Sequence, residues 1–385
     1  MVAYAAAVTN SRFALFDSLR ALAALGVLVF HAGTSSMVNA TAWYGGLTSH
    51  LNVGVALFFL ISGFLLYRPY AQAILDGSAL PSTRRYARHR ALRIAPAYWV
   101  ALTLLAIWPG LAGVFTSQWW VFYCFLQSYR LAWVLYGGIP PAWSLSVEVA
   151  FYALLPLLAW ALAGLCRGRS TREGVRLQLV VFTSLGVIGI VFRYTVQRAE
   201  LKDLYTTLPS FLAWFATGMS TAVVSVWFAQ REDGQRWTRY LNAHPTVCWI
   251  LALAIYLGVA VTPAFPRPYD GRDYTPLANT VEHVLYTVIA LLIMLPAIFG
   301  ETAGGWPRRL LASRALTAIG VVSYGVFLWH WALLIVLSQR GALGLVPGWP
   351  LLSLLLVAVP LTFACAWLSY WLIERPALRL GARSR

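Results

Sequence analysis

Charge is what this sequence has least of: only 11% of its 385 residues are Asp, Glu, Lys or Arg, less than half the share of an ordinary soluble domain. Lysine occurs once, at Lys202, so nearly all of the 29 basic residues are arginine. Its four cysteines, Cys124, Cys166, Cys248 and Cys365, stand far apart without Cys-x-x-Cys spacing. That pattern excludes a zinc-finger-like site and a disulfide framework, and leaves the cysteines as packing residues with no metal expected. There is no repeat at a solenoid period, no visible inverted repeat, and no long hydrophilic stretch. The first apolar run is of spanning length and has no small-residue cleavage site, so it does not read as a cleavable signal peptide. Together these absences predict one membrane domain over residues 1–385, with its core at about 12–376 and no appended soluble domain.

What the sequence does have is apolar surface. Hydrophobic residues make up 60% of the chain, in recurring runs of about 20, each long enough to cross a hydrocarbon core about 30 Å thick. The expected fold is all-α: a polytopic membrane protein of about ten spans. Their limits are 17–36, 52–71, 91–111, 141–165, 177–195, 206–228, 246–264, 279–299, 316–338 and 349–373. The apolar run Gln118–Gln127 is too short to cross and reads as interfacial or re-entrant.

Basic residues orient the spans, because cytoplasmic loops retain an excess of arginine. With the N-terminus inside, 22 of the 29 basic residues fall on the inner side, among them Arg12, Arg231, Arg383 and Arg385. Several of the outer ones, including Arg272, have acidic neighbours in Glu200, Asp203, Asp270 and Asp273. Both termini are expected in the cytoplasm. The formal net charge of +16 is then a topology and lipid-headgroup signal spread over short loops, not a nucleic-acid footprint.

Ionisable groups inside spans are costly unless paired or hydrated, which makes each a functional candidate. The run FDSLRALAALGVLVFH carries Asp17, Arg20 and His31. Eleven helical steps bring His31 to within about 20° of Arg20, so the three share a face, with His31 about 21 Å along the axis from Asp17. In PPAWSLSVEVAFYALLPLL, Ser144, Glu148 and Tyr152 follow at i, i+4 and i+8 along one side. Glu148 should lie about 10 Å below the outer end, and His330 in SYGVFLWHW about 21 Å up from the inner end of its span. His31, Glu148 and His330 are therefore expected in one layer, with Ser323 on the face of His330 and Tyr324 beside it.

The run RRYARHRALRIAPAYW crowds Arg84, Arg85, Arg88, Arg90 and Arg93 at the foot of the third span. Arg90 and Arg93 are deepest. With Arg20, and with Arg68 at the end of the second span, they would form a cationic pocket for a phosphate-bearing ligand. Ser62-Gly63 marks a close helix approach. Glu374 and Arg375 are expected to pair locally or cap the last helix. His283, next to Glu282, is a candidate acceptor contact, whereas His50, His89 and His244 carry no assigned role.

Six runs, FDSLRALAALGVLVFH, GVALFFLISGFLLYR, RHRALRIAPAYW, PPAWSLSVEVAFYALLPLL, SYGVFLWHW and IERP, resemble in order the motifs of the acyltransferase-3 family of membrane O-acyltransferases. The resemblance spans Asp17 to Pro376, with Ser18 where the family more often has glycine. It implies a ten-helix domain that takes an acyl group, acetyl or another short acyl, from acyl-CoA as co-substrate on the cytoplasmic side. The acceptor it implies is a hydroxyl of an envelope glycan, a glycolipid or a glycosylated natural product such as a macrolide. The location it implies is a bacterial cytoplasmic (inner) membrane. It marks Arg20 and His31 as the essential pair, Arg90 and Arg93 as the basic motif, and Ser144, Ser146 and Glu148 as the motif of the fourth span.

On this reading His31 is the general base. Glu148, or in second place His330, would orient it, and Arg20, Arg90, Arg93 and Arg68 would hold the CoA phosphates. The alternative is a proton-coupled transporter, since ionisable residues in a bundle interior also mark proton pathways.

Overall fold

The computed structural model describes residues 15–230, 232–265, 267, 270–271, 274–299 and 304–382. Arg12, Arg231, Arg272, Asp273, Arg383 and Arg385, used above to orient the chain, lie outside the described residues.

Ten apolar helices make the frame: α1 (Leu15–Ser35), α2 (Val53–Asp76), α3 (Thr83–Ile107), α4 (Trp143–Cys166), α5 (Thr171–Arg198), α6 (Leu212–Ala229), α7 (Pro245–Val261), α8 (Pro276–Ile298), α9 (Ser323–Gln339) and α10 (Pro350–Ser369). Among the described residues eight segments are long and apolar enough to cross a bilayer, and a bent helix pair makes a ninth. Every expected span therefore falls on an apolar helix. The seventh, α7, is short at 17 residues, about 25 Å of rise.

The ninth expected span is not one straight helix. Its first part, Arg314–Val321, meets α9 at 71°, because it lies across the foot of α1: a Cβ on Gly320 would overlap the Asp17 backbone, and Ser18 Oγ lies 3.2 Å from Thr317 Oγ1. Residues 118–127 hold only a short helix, Trp119–Tyr123, followed by the turn Gln127–Tyr129, too little to cross.

Burial shows which solvent the fold expects. Leu157, Trp160, Val187, Ile188, Val191 and Leu356 are exposed on the outside of the bundle, while the interior holds Ser, Thr, Asn, Arg, His and Glu side chains. Such a surface is stable only against lipid, where each helix also satisfies its own backbone. This is a multi-pass membrane protein.

Small residues bring the central helices together. A Cβ on Gly63 of α2 would strike the Phe215 carbonyl of α6, and one on Gly218 of α6 would strike that of Leu60. Beside this seam the rings of Phe151 and Phe215 stack at 4.0 Å, and those of Phe59 and Phe215 at 4.7 Å. The resulting aromatic wall holds α2, α4 and α6 rigidly along one side of an internal cavity.

Candidate active site

The cavity, about 540 Å³ in volume, runs through the bundle between α1, α2, α3, α4, α5, α8 and α9. Arg20 and His31 both line it, as their shared helical face requires. Eleven residues of α1 separate them by about 16 Å, so the cavity has a basic end and an imidazole layer.

The basic end is built by α1 and α3. Ser82 caps the start of α3 through the Arg85 amide, and the arginines of its first turns radiate outward. Arg90 and Arg93, three residues apart and so on one face, alone among them reach the cavity. Arg90 lies 6.0 Å from the Tyr152 ring centre, and its buried Nε has no hydrogen-bond partner. Arg20 donates to Asp17 at 2.8 Å, which holds its guanidinium at the cavity edge. Asp17 itself is outside the lining and anchors the arginine.

Arg68 is not in the lining. Six steps of helix turn it about 120° away from the cavity-facing Ser62, and its Nε donates to Ser225 of α6 at 3.3 Å. Ser146 is likewise turned away. It is two residues, or about 200°, from the cavity-lining Ser144, and it is buried in the packing with an unpartnered hydroxyl. Ser144 donates to the Pro141 carbonyl at 3.0 Å.

In the imidazole layer the expected contact of Glu148 with His31 is not formed. Glu148 accepts from Ser62 at 2.7 Å and from Tyr152, one turn further along α4, at 3.0 Å. Tyr152 lies next to Arg90, so this carboxylate sits on the basic side of the cavity. The partner of His31 is His330: Nδ1 and Nε2 are 3.2 Å apart and the rings stack at 5.1 Å.

Backbone carbonyls set the direction of that bond. His330 Nδ1 lies 2.9 Å from the oxygens of Val326 and Phe327, which only accept, so Nδ1 carries the proton and Nε2 is the acceptor. His31 Nδ1–H therefore donates to His330, leaving His31 Nε2 as the unprotonated nitrogen. Ser323 and Tyr324 also line the cavity, and the Tyr324 hydroxyl donates to Ile94 of α3 at 2.9 Å.

At the other end of the cavity the sequence singled out His283 but not Arg193. Leu75, near the end of α2, packs on Gly174 at the start of α5, and the arginine run of α3 follows one short loop later. Nineteen residues further along α5, about 28 Å, Arg193 lines the cavity at the opposite end, together with Asn279, Glu282 and His283 of α8. Arg193 falls within the expected span 177–195. The usable signal was its place inside an apolar run.

His50, which carried no assigned role, bonds Glu282 at 2.8 Å, and Tyr286 donates to the same oxygen at 2.9 Å. Among the described residues no cluster of three or more His, Cys, Asp or Glu side chains could hold a metal.

A family model described as an acyltransferase domain, that of the acyltransferase-3 family, matches residues 13–371. The chain belongs to the acyltransferase-3 family. Curated relatives include the O-acetyltransferase OatA of Staphylococcus aureus, 23% identical over 96% of this chain and 57% of its own length. Another is YrhL of Bacillus subtilis, named as a candidate peptidoglycan O-acetyltransferase, 24% identical over 96% of this chain and 55% of its own. The chain thus spans a little over half the length of the curated relatives it matches. No solved structure matches it. Membership makes the cavity of this acyltransferase domain the place to look for acyl transfer.

Proposed function

We propose that this protein is an acyl-CoA-dependent O-acyltransferase of the bacterial cytoplasmic membrane. It would move an acetyl or other short acyl group to a hydroxyl of a sugar-containing acceptor, such as an envelope glycan, a glycolipid or a glycoside. The observation that carries this reading is the single cavity joining three arginines at one end to a directed histidine pair about 16 Å along α1.

Arg20, Arg90 and Arg93 bind the CoA phosphates, where fixed guanidinium forks suit phosphate oxygens. The pantetheine arm runs up the cavity and brings the thioester to His31. His31 Nε2 takes the proton of the acceptor hydroxyl while that oxygen attacks the thioester carbonyl. The C–O bond forms, the C–S bond breaks, and the proton passes from His31 to the leaving thiolate, giving ester and CoA thiol. His330 orients the base and accepts from its imidazolium form. Glu148, held by Ser62 and Tyr152, balances the neighbouring arginine charge. No step uses a covalent acyl-enzyme.

The test is CoA-thiol release by detergent-purified protein given acetyl-, propionyl- and longer acyl-CoAs, with His31→Ala beside the wild type. Release that depends on His31 is expected. Equal release from both proteins removes His31 as the base. No release from any donor, with candidate glycosides present, supports a proton-coupled transporter instead.

A further inference from the structure

The end of the cavity remote from the CoA-binding arginines holds a cation that nothing in the reaction above uses. Arg193 is 7% exposed. Its Nε donates to Asn279 Oδ1 at 2.9 Å and its Nη2 to Tyr205 at 2.5 Å, and its guanidinium carbon stands 4.5 Å over the Tyr205 ring. Its Nη1 is buried without a partner, and no carboxylate pairs with it among the described residues.

Glu282, three residues beyond Asn279, lines the same chamber but is fully committed. One oxygen is held by His50 and Tyr286, and the other accepts from Tyr274. Next to it, His283 is 2% exposed, stacked at 4.2 Å on Trp214, with both ring nitrogens unpartnered.

A buried guanidinium with no carboxylate paired to it among the described residues is costly, and its fork geometry matches carboxylate or phosphate oxygens. The chamber is pre-built around it: Asn279 and Tyr205 fix the plane of the fork and leave Nη1 unsatisfied. We infer that this chamber is the acceptor subsite and that it binds an acceptor bearing an anionic group, a carboxylate or a phosphate, held by Arg193, with His283 contacting the sugar. The inference rests on the acyltransferase reading and adds the charge of the acceptor to it. His31, in the layer between the two basic ends, then meets donor and acceptor from opposite sides.

The test is direct binding of D-glucuronate, D-glucose 6-phosphate and D-glucose to purified full-length wild type, Arg193→Gln and Arg193→Lys, followed by tryptophan fluorescence. At least one charged sugar should bind the wild type about tenfold or more tightly than glucose, the scale of one buried hydrogen bond to a charged group. Arg193→Gln should abolish that preference. A preference for glucuronate assigns the subsite to carboxylates, and one for the 6-phosphate to phosphates.

Equal binding of all three sugars, failure of both charged sugars to bind, or a preference that survives in Arg193→Gln overturns the inference. If that variant cannot be purified, Arg193→Lys decides, since a point charge cannot reproduce the fork: an unchanged preference there also overturns it. Acetyl-CoA binding by the wild type is measured alongside. Its absence with an intact charge preference sinks the transferase reading alone, and its presence without any preference sinks the subsite alone.

Discussion

At the scale of single residues, the cavity separates side chains that share a motif into different jobs. His330 bonds to the expected base, so the role expected of it is positioning. Replacing it with Ala should lower kcat for His31-dependent CoA release by about a hundredfold, within the usual range for general-base catalysis, with KM for acyl-CoA little changed. His330→Gln, which can still accept from His31 Nδ1, should recover part of the loss. A variant whose KM moves while kcat holds would place His330 in donor binding instead. Arg93→Ala should weaken acyl-CoA binding about tenfold or more, the scale of losing a charged hydrogen bond, and calorimetric titration with acetyl-CoA measures it. Arg68→Ala should leave that affinity intact, since its side chain is turned onto Ser225.

At the scale of elements, the helices are set by contacts that apolar periodicity does not encode. Arg308, which lies between the expected spans 279–299 and 316–338, is fully buried. It donates to the carbonyls of Pro296 and Phe299, at the end of α8, at 2.8 and 2.6 Å, and to the Asn242 side chain at 2.7 Å. It thereby satisfies carbonyls that a helix end leaves open. Arg308→Ala should cost about 3 kcal/mol or more, seen as a lowered Tm in detergent. Gly218→Val should also destabilise, by about 1–3 kcal/mol or more, because α2 and α6 cannot separate without opening the aromatic wall. The last helix shows the same dependence on context. Glu374 and Arg375 do not form the expected local pair: Arg375 lies 3.9 Å over the Trp371 ring, while Glu374 is buried within a π-helical turn, Tyr370–Glu374.

At the scale of the whole molecule, the proposed donor and acceptor ends imply two directions of approach, and the arginine distribution predicts that the basic end faces the cytoplasm. Impermeant maleimide labelling checks this in a background with the four native cysteines replaced. Arg169→Cys, in the loop between α4 and α5, should label only in inside-out vesicles. Leu201→Cys, beyond α5, should label only in right-side-out ones. The opposite pattern would invert the molecule and put the expected CoA mouth outside.

The sequence by itself determined the membrane, the ten apolar segments and the shared face of Arg20 and His31, because bilayer thickness and the 3.6-residue helical period act locally on the chain. It also identified Arg90 and Arg93 as the deepest of their cluster, since depth along one helix is a matter of counting. Which side chains meet across helices was decided only by the tertiary structure. Equal calculated depths placed Glu148 and His330 alike beside His31, but packing brought the ring from α9 and turned the carboxylate from α4 towards Ser62 and Tyr152. The same is true of Arg193, whose partners come from the loop before α6 and from α8. The bend before α9 likewise follows from Gly320 lying on α1. Rotation and tilt of each helix depend on small-residue seams and polar contacts with other helices, and those are properties of the assembled bundle.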